Sequence, residues 1–396
     1  MAGGTRRSAA LAPPRIVLAE PTLQGNEARY LQECIDTNFV SSVGPFVERF
    51  EREFAAFVGA RHAVAVASGT AAIHLAIRAL DIADGAEVFV SDLTFIASAN
   101  PITYERAVPV LVDSERTTLN LDPARVIDEL ERRDRAGRRQ PAAIEVVHLL
   151  GHPADLEPIQ EAADRYGIPV IEDASEALGA TWTAGRLAGR QVGSVGAIGC
   201  FSFNGNKIIT TGSGGMVVTD DAEIARRVRH LSTQARLPGR AYDHDEVGYN
   251  YRLSNIAAAV GVAQLEQLPD LLARRRALAG RYDQAIASIP GLRPAARAPW
   301  AEPSFWLYTA HLDRDAGLTR DELLDGLAAA GIEGRPIWTP LHRIELLADA
   351  PRLGHETADA IFEGGVSLPS SSSLPIEAQE RVVEAIRASL GAPAGT

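Results

Sequence analysis

The sequence predicts an α/β protein: a large domain with a mostly parallel, mixed sheet flanked by helices, then a smaller C-terminal α/β domain. Two observations predict it. Over residues 20–268, short apolar runs alternate with helix-patterned stretches of about ten to fifteen residues, the pattern of strand–helix–strand units covered on both faces. A Pro-rich segment over 294–303 then separates this stretch from a second, shorter alternation. A chain of 396 residues is also too long for one small core.

The elements follow in order. Residues 62–67 (His-Ala-Val-Ala-Val-Ala) read as a buried strand, and 70–80 as a helix with Ile73, Ala76, Ile77 and Leu80 on one face. Residues 87–90, 108–112 and 143–149 are further strands, and 155–166 a helix opened by an Asp cap. Residues 168–172 form an apolar strand running directly into Asp173. Residues 198–203 and 216–219 bracket a Gly-rich segment, and the bracket allows an antiparallel pair, which would make the sheet mixed. A long helix is expected over 254–286, broken or kinked at Pro269 and carrying the basic cluster 274–276. Beyond Pro290-Gly291 come a strand over 305–312, a helix over 319–330, a strand entering Arg335 and a last helix over 376–390. The expected division is an N-terminal arm over 1–19, a large domain over 20–268, and a linker helix with the small domain over 269–396. The boundary falls within 268–303.

The composition, 46% hydrophobic and 23% charged, is that of a soluble globular protein. A formal net charge of −12 and a pI near 5.3 argue against nucleic acid as a partner, since phosphate backbones need a basic face. Cys34 and Cys200 are far apart and lack metal or redox spacing, so they read as reduced thiols in a cytoplasmic protein. No apolar run approaches the ~20 residues of a membrane span. Arg6-Arg7 with the short apolar run after it is similar to a twin-arginine signal, but two prolines end that run, so a frayed arm is expected.

Three constellations carry chemistry. Ser68-Gly69-Thr70 follows a strand and opens a helix, where unsatisfied N–H groups and the helix dipole seat an anion; an ordinary helix cap fits the same residues. Asp173 stands at the carboxyl end of an apolar strand, where ligands bind in open α/β sheets; a strand-end turn is the alternative. Lys207 lies in Cys200-Phe-Ser-Phe-Asn-Gly-Asn-Lys207-Ile-Ile-Thr-Thr-Gly-Ser-Gly-Gly-Met216, with Ser202 five residues before it. A solvated loop lysine is the plain alternative there. Pyridoxal 5'-phosphate (PLP) reacts through an aldehyde and a pyridine ring, so it needs an amine for a Schiff base. It also needs a carboxylate to keep the ring nitrogen protonated and a cradle for its phosphate. Lys207, Asp173 and the 68–70 turn supply all three. His148 and His152 have an i, i+4 spacing that suits a metal, but Gly151 and Pro153 disfavour a helix and no further ligand completes a site, so no metal is expected.

Five runs together resemble the successive motifs of the DegT/StrS-type sugar aminotransferases, over residues 20–390. They are Ser68–Ala76, Asp92-Leu-Thr-Phe-Ile-Ala-Ser-Ala-Asn100, Glu172-Asp-Ala-Ser-Glu-Ala-Leu-Gly179, Ser202-Phe-Asn-Gly-Asn-Lys207 and Gly248-Tyr-Asn-Tyr-Arg-Leu-Ser-Asn255. The resemblance implies the aspartate-aminotransferase-like type I fold of PLP enzymes and a homodimer with active sites at its interface. It makes Lys207 the Schiff-base lysine, Asp173 the ring-nitrogen partner and Phe95 the aromatic ring on the cofactor face, where core packing is the alternative. Gly69, Thr70 and Ser202 become phosphate ligands, and Asn250 one contributed by the partner subunit. Glu176 stands where the family often has Gln or His. Arg335 and His342 match the substrate-side segment, Arg335 meeting a carboxylate or diphosphate and His342 a sugar hydroxyl, with surface or core placement open for both.

The expected function is therefore a PLP-dependent aminotransferase moving an amino group from glutamate or glutamine to a nucleotide-linked 4-keto-6-deoxyhexose. Residues 39–44 and 92–95 look like the branch that aminates C4. The alternatives are a cyclitol or other non-nucleotide ketone as acceptor, and a non-catalytic PLP-fold binding protein. A related sugar dehydratase carries His at the lysine position, and Lys207 argues against it.

Overall fold

A computed structural model describes residues 14–392. Along the chain these form α1 (Glu27–Asp36), α2 (Pro45–Val58), β1 (His62–Val66), α3 (Gly69–Ala79), β2 (Glu87–Ser91), α4 (Asn100–Tyr104), β3 (Val108–Val112) and α5 (Pro123–Arg135). There follow β4 (Ala143–Val147), α6 (Leu156–Tyr166), β5 (Val170–Asp173), β6 (Thr181–Trp182), β7 (Ile198–Ser202), β8 (Gly215–Thr219), α7 (Ala222–Ser232) and the long α8 (Asn255–Ile286). The rest comprises β9 (Leu292–Arg293), β10 (Ala301–Glu302), β11 (Tyr308–Leu312), α9 (Arg320–Ala329), β12 (Arg335–Pro336), β13 (Arg352–Leu353), α10 (Glu356–Gly364), β14 (Gly365–Leu368) and α11 (Ile376–Ser389).

Eight strands make one sheet in the order β1-β8-β7-β5-β4-β2-β3-β13. Strand β8 runs antiparallel to both β1 and β7, and the other pairings are parallel. The sheet is mixed because the Gly-rich segment after β7 folds back as a hairpin, whereas β1 to β2, β2 to β3, β3 to β4 and β4 to β5 are joined through helices and β5 to β7 by a long loop that carries β6. One consequence organises everything else. The carboxyl ends of β1, β2, β4, β5 and β7 lie at one edge, together with the loop entering β8, so the residues following each strand meet there.

Two apolar layers cover the sheet. On one face, Phe50 and Phe54 of α2 pack edge-on and tilted against Phe201 and Phe203, with ring centroids 5.0–5.3 Å apart. On the other, α3, α4 and α7 cover Val88, Val90, Ile171, Ile198 and Cys200. A third cluster fills the space between the β12-β14-β11-β9 sheet and helices α9 and α11.

Helix α8 joins these regions. Its first half packs Ala258, Val262 and Leu268 on the aromatic layer, and its second half packs Leu278, Tyr282 and Ile286 on the third cluster. The helix is continuous through Pro269, correcting the expected break. Proline removes one intrahelical hydrogen bond, and burial along both halves outweighs that loss. Asp155 stands at the start of α6, but its side chain makes no capping hydrogen bond.

Most of the expected N-terminal arm, residues 1–13, lies outside the described residues, the Arg6-Arg7 pair included. The described part is tied down: Ile16 pairs with Gly331 and Glu333 through backbone hydrogen bonds of 3.0 and 2.8 Å, and Leu18 is buried. Among the described residues no helix is long and apolar enough to cross a membrane.

Replacing Phe54 with Ala removes a fully buried ring that touches three others. It should lower unfolding stability by about 3–5 kcal/mol, measured by urea titration, without changing the helix content of the folded state.

Candidate active site

The site is built at the carboxyl edge of the large sheet. Ser68 adopts an extended backbone and accepts a 3.0 Å hydrogen bond from the Ala71 N–H, starting α3. The N–H groups of Gly69 and Thr70 then precede the first intrahelical bond and have no partner within the helix, while the dipole favours an anion in front of them. Gly69 is required by close approach. A Cβ there would lie 2.7 Å from Ser202 Cβ and 3.3 Å from Ser175 Oγ. Two hydroxyls, from the ends of β7 and β5, are thereby pressed against the helix start.

Asp173 ends β5, level with Val147 and Cys200 on the neighbouring strands. Its Oδ2 accepts from the Ser98 hydroxyl at 2.8 Å and its Oδ1 from the Ser175 N–H at 3.0 Å. Ser98 in turn shares a 3.0 Å bond with Thr94. Phe95, between them, is half-exposed and tilts against Trp338 with centroids 4.9 Å apart.

Glu172 points to the opposite face. It accepts from the N–H groups of Gly193, Val195 and Gly196 and from His148 Nε2 at 3.0 Å. The Ala154 N–H donates to His148 Nδ1, which places the ring proton on Nε2. Burial pushes the Glu172 carboxyl up, but these donors outweigh it and hold it below the usual range. His152 is likewise engaged at both nitrogens, by Pro153 and Ala298, and burial lowers it to about 4.

The Lys207 amine lies over the Trp306 ring, 3.8 Å from its centroid, with Glu176 Oε1 at 3.9 Å, beyond hydrogen-bonding reach. The Trp306 indole N–H donates to the Asn206 carbonyl at 2.7 Å, and the Trp306 carbonyl accepts from the buried Arg275 at 2.9 Å. Burial lowers the pKa of Lys207, and the negative charges of Glu176 and Asp173 oppose that shift without cancelling it. Burial raises Glu176, against the pull of Lys207 and the N–H groups of Leu150 (2.7 Å) and Trp338 (3.0 Å). Leu150, which holds Glu176, sits in the left-handed region at φ 57°, a strained conformation for a γ-branched residue. Both shifts favour the neutral forms of amine and acid.

The structure thus brings Lys207, Glu176, Asp173, Phe95, Gly69, Thr70 and Ser202 to one edge. Asn250 is exposed, on the segment whose Tyr251 carbonyl accepts from the Ala67 N–H at 2.8 Å beside the cradle. Arg335 is exposed and paired with Glu333 at 2.8 Å. His342 is partly buried, with Nδ1 on Asp92 (2.5 Å) and Nε2 on Asp359 (3.2 Å), so both ring nitrogens are already occupied. Sequence reasoning missed Ser98, Ser175, Trp306 and Trp338. The i, i+4 hydroxyls of Thr94 and Ser98 flanking Phe95 were the one available signal. A groove of about 960 Å³ lined by Arg116, Arg293, His311 and Arg314 contains none of these residues.

An amine of lowered basicity, an acid held by two donors and a glycine-sealed helix start fit the aldehyde, ring nitrogen and phosphate of PLP. Fold and site together define the class of PLP-dependent transferases. A family model described as the DegT/DnrJ/EryC1/StrS aminotransferase family matches residues 21–387. A GDP-perosamine synthase of Caulobacter vibrioides is 42% identical over 94% of this chain and 98% of its own. An L-glutamine:2-deoxy-scyllo-inosose aminotransferase of Streptoalloteichus tenebrarius is 39% identical over 81% of this chain and 77% of its own. The crystal structure of S. venezuelae DesV in complex with a ketimine intermediate superposes with a TM-score of 0.84 at 33% identity, covering 96% of this chain and all of that one. The chain belongs to the DegT/DnrJ/EryC1/StrS family and is a PLP-dependent aminotransferase of its sugar-aminotransferase group.

Ser98→Ala removes one of the two donors to Asp173 and should weaken PLP binding by the apoprotein about fivefold, read by fluorescence titration. Gly69→Ala should weaken it more, because the new Cβ collides with Ser202.

Proposed function

We propose that this protein transfers an amino group from glutamate or glutamine to the C4 ketone of a nucleotide-linked 4-keto-6-deoxyhexose. One observation carries the amino-transfer chemistry: a lysine amine of lowered basicity, at the same strand edge as Asp173, over an aromatic ring and beside an acid whose pKa burial raises. Bound PLP supplies an electron sink for charge developing at the substrate carbon. The chain's residues do the rest. Asp173 pairs with the ring nitrogen and keeps it protonated. The Gly69 and Thr70 N–H groups, with Ser202, bind the phosphate. Phe95 covers one ring face. Lys207 would hold the cofactor aldehyde, and its amine, of lowered basicity, would carry the proton to and from the substrate carbon.

The acceptor class rests on the GDP-perosamine synthase relative, similar over almost the full length of both chains. The 2-deoxy-scyllo-inosose aminotransferase relative favours a second reading, a cyclitol ketone, and its name favours glutamine as donor. The working form in this reading is a homodimer in which Asn250 crosses to the other subunit's phosphate. Its exposure, together with exposed Tyr242 and Val247 on the same segment, supports that arrangement.

The test is mass spectrometry of the protein incubated with glutamate or glutamine and a panel of nucleotide keto-sugars and keto-cyclitols. An amine product from a nucleotide 4-keto-6-deoxyhexose is expected, and amination of cyclitols alone would replace this reading with the second. Lys207→Ala should abolish transfer from either donor while leaving the folded state intact by circular dichroism; retained turnover would refute its role.

A further inference from the structure

Glu145 lies in the middle of the central strand β4 with no exposed surface, and neither carboxyl oxygen has a hydrogen-bond partner among the described residues. A buried, unpaired polar group is costly and calls for a physical account. Strand alternation fixes where it points. Ile144 and Val146 face the aromatic layer, so Glu145 shares the opposite face with Ala143. On β5 that face is taken by Ile171 and therefore by Asp173, and on β7 by Cys200. The register places Glu145 beside Ile171, two residues before the Val147–Asp173 pair. Glu145 and Asp173 are therefore diagonal neighbours on one face, with Cα atoms roughly 8 Å apart, within reach of a long side chain.

The surroundings of the two acids differ. Asp173 has two donors, from Ser98 and Ser175, and Glu145 has none. The charged group that acts on Glu145 is Asp173 on β5, with the Cys200 thiol on the same face of β7; α3 adds buried His74, bonded to Glu105 and Tyr251, while β2, α3 and α4 otherwise contribute Val88, Val90, Ala72, Ile73, Ala99 and Ile102 to the apolar layer. Burial raises the Glu145 carboxyl well above the ordinary range, and the negative charge of Asp173 raises it further. A shift in that direction favours the protonated form, whose O–H is a donor with no acceptor in reach among the described residues in this rotamer.

We propose that Glu145 is a positioning residue for Asp173: a neutral buried acid whose O–H, turned along β4 toward the sheet edge, is a third donor to the Asp173 carboxylate. It thereby holds that side chain in place for the ring nitrogen. The proposal rests on the reading of Asp173 as the ring-nitrogen partner.

The experiment is a double-mutant cycle on PLP affinity, measured by fluorescence with apoprotein. Glu145→Leu, which removes the donor, should weaken binding about fivefold to tenfold; Glu145→Gln, which keeps an N–H donor, should stay within about twofold of the parent. In an Asp173→Asn background the effect of Glu145→Leu should vanish. Unchanged affinity in Asp173→Asn alone overturns the reading of Asp173. Additive effects of the two substitutions, or a Glu145→Gln loss as large as that of Leu, overturn the role of Glu145 and leave Asp173 untouched. The protonation state has its own readout. A carboxyl raised on folding loses stability as pH rises above 4.5, where the unfolded chain releases the proton and the folded one keeps it. The Tm advantage of Glu145→Leu over the parent should therefore widen from pH 5 to pH 8, and a constant difference shows that Glu145 is not held neutral.

Discussion

The constraint on which this structure depends is the alignment of parallel strands, which brings five strand ends to one edge of the large sheet. No single connection in the chain builds the site. Ser68 follows β1, Phe95 follows β2, Leu150 follows β4, Asp173 ends β5 and Ser202 ends β7. Register therefore sets distances between residues far apart in sequence. The 2.8 Å bond from Ser98 to Asp173 spans 75 positions, and the 3.0 Å bond from Trp338 to Glu176 spans 162. The lone antiparallel strand, β8, serves the same end, because its hairpin returns the Lys207 segment to the edge where β7 leaves.

Buried acids around this edge show how donors, more than depth, decide charge. Glu145 and Glu172 are both without exposed surface. Glu172 collects three backbone N–H groups and an imidazole N–H, and its carboxyl is depressed. Glu145 collects none and is raised. Glu176 lies between them: two N–H donors and a nearby lysine reduce the effect of burial without reversing it. The low-dielectric layer thus moves its carboxyls up or down according to the donors each collects. The neutral tendency of Glu176 also leaves the Lys207 amine without a full ion pair, consistent with a base that must give and take a proton.

Much of this architecture is legible in the chain's own residues. The alternation over residues 20–268 announces a parallel sheet, the Ser-Gly-Thr turn a helix start, and the Asp after an apolar strand a ligand edge. The motifs in register point to the family to which the chain belongs. Other features are hidden for identifiable reasons. Pro269 signals a break locally, yet α8 runs through it because its two halves pack on different clusters. Arg275 reads as part of a basic cluster, yet it is buried and bonded to two carbonyls. Glu145 reads as one polar residue in an apolar strand, and only register shows that it lies below Asp173.

The order of residues settles the local elements and the side chains available for chemistry, because periodicity, capping and strand-end placement are short-range properties of the chain. It settles the family as well, since the motifs keep their order. Which groups meet is a matter for the folded molecule: the tryptophans around Lys207 and Glu176, the serines on Asp173 and Gly69, the carboxylates that occupy His342. Those contacts join distant strands and helices, and the burial that shifts each acid or amine is a property of the assembled layers, which no local stretch of sequence contains.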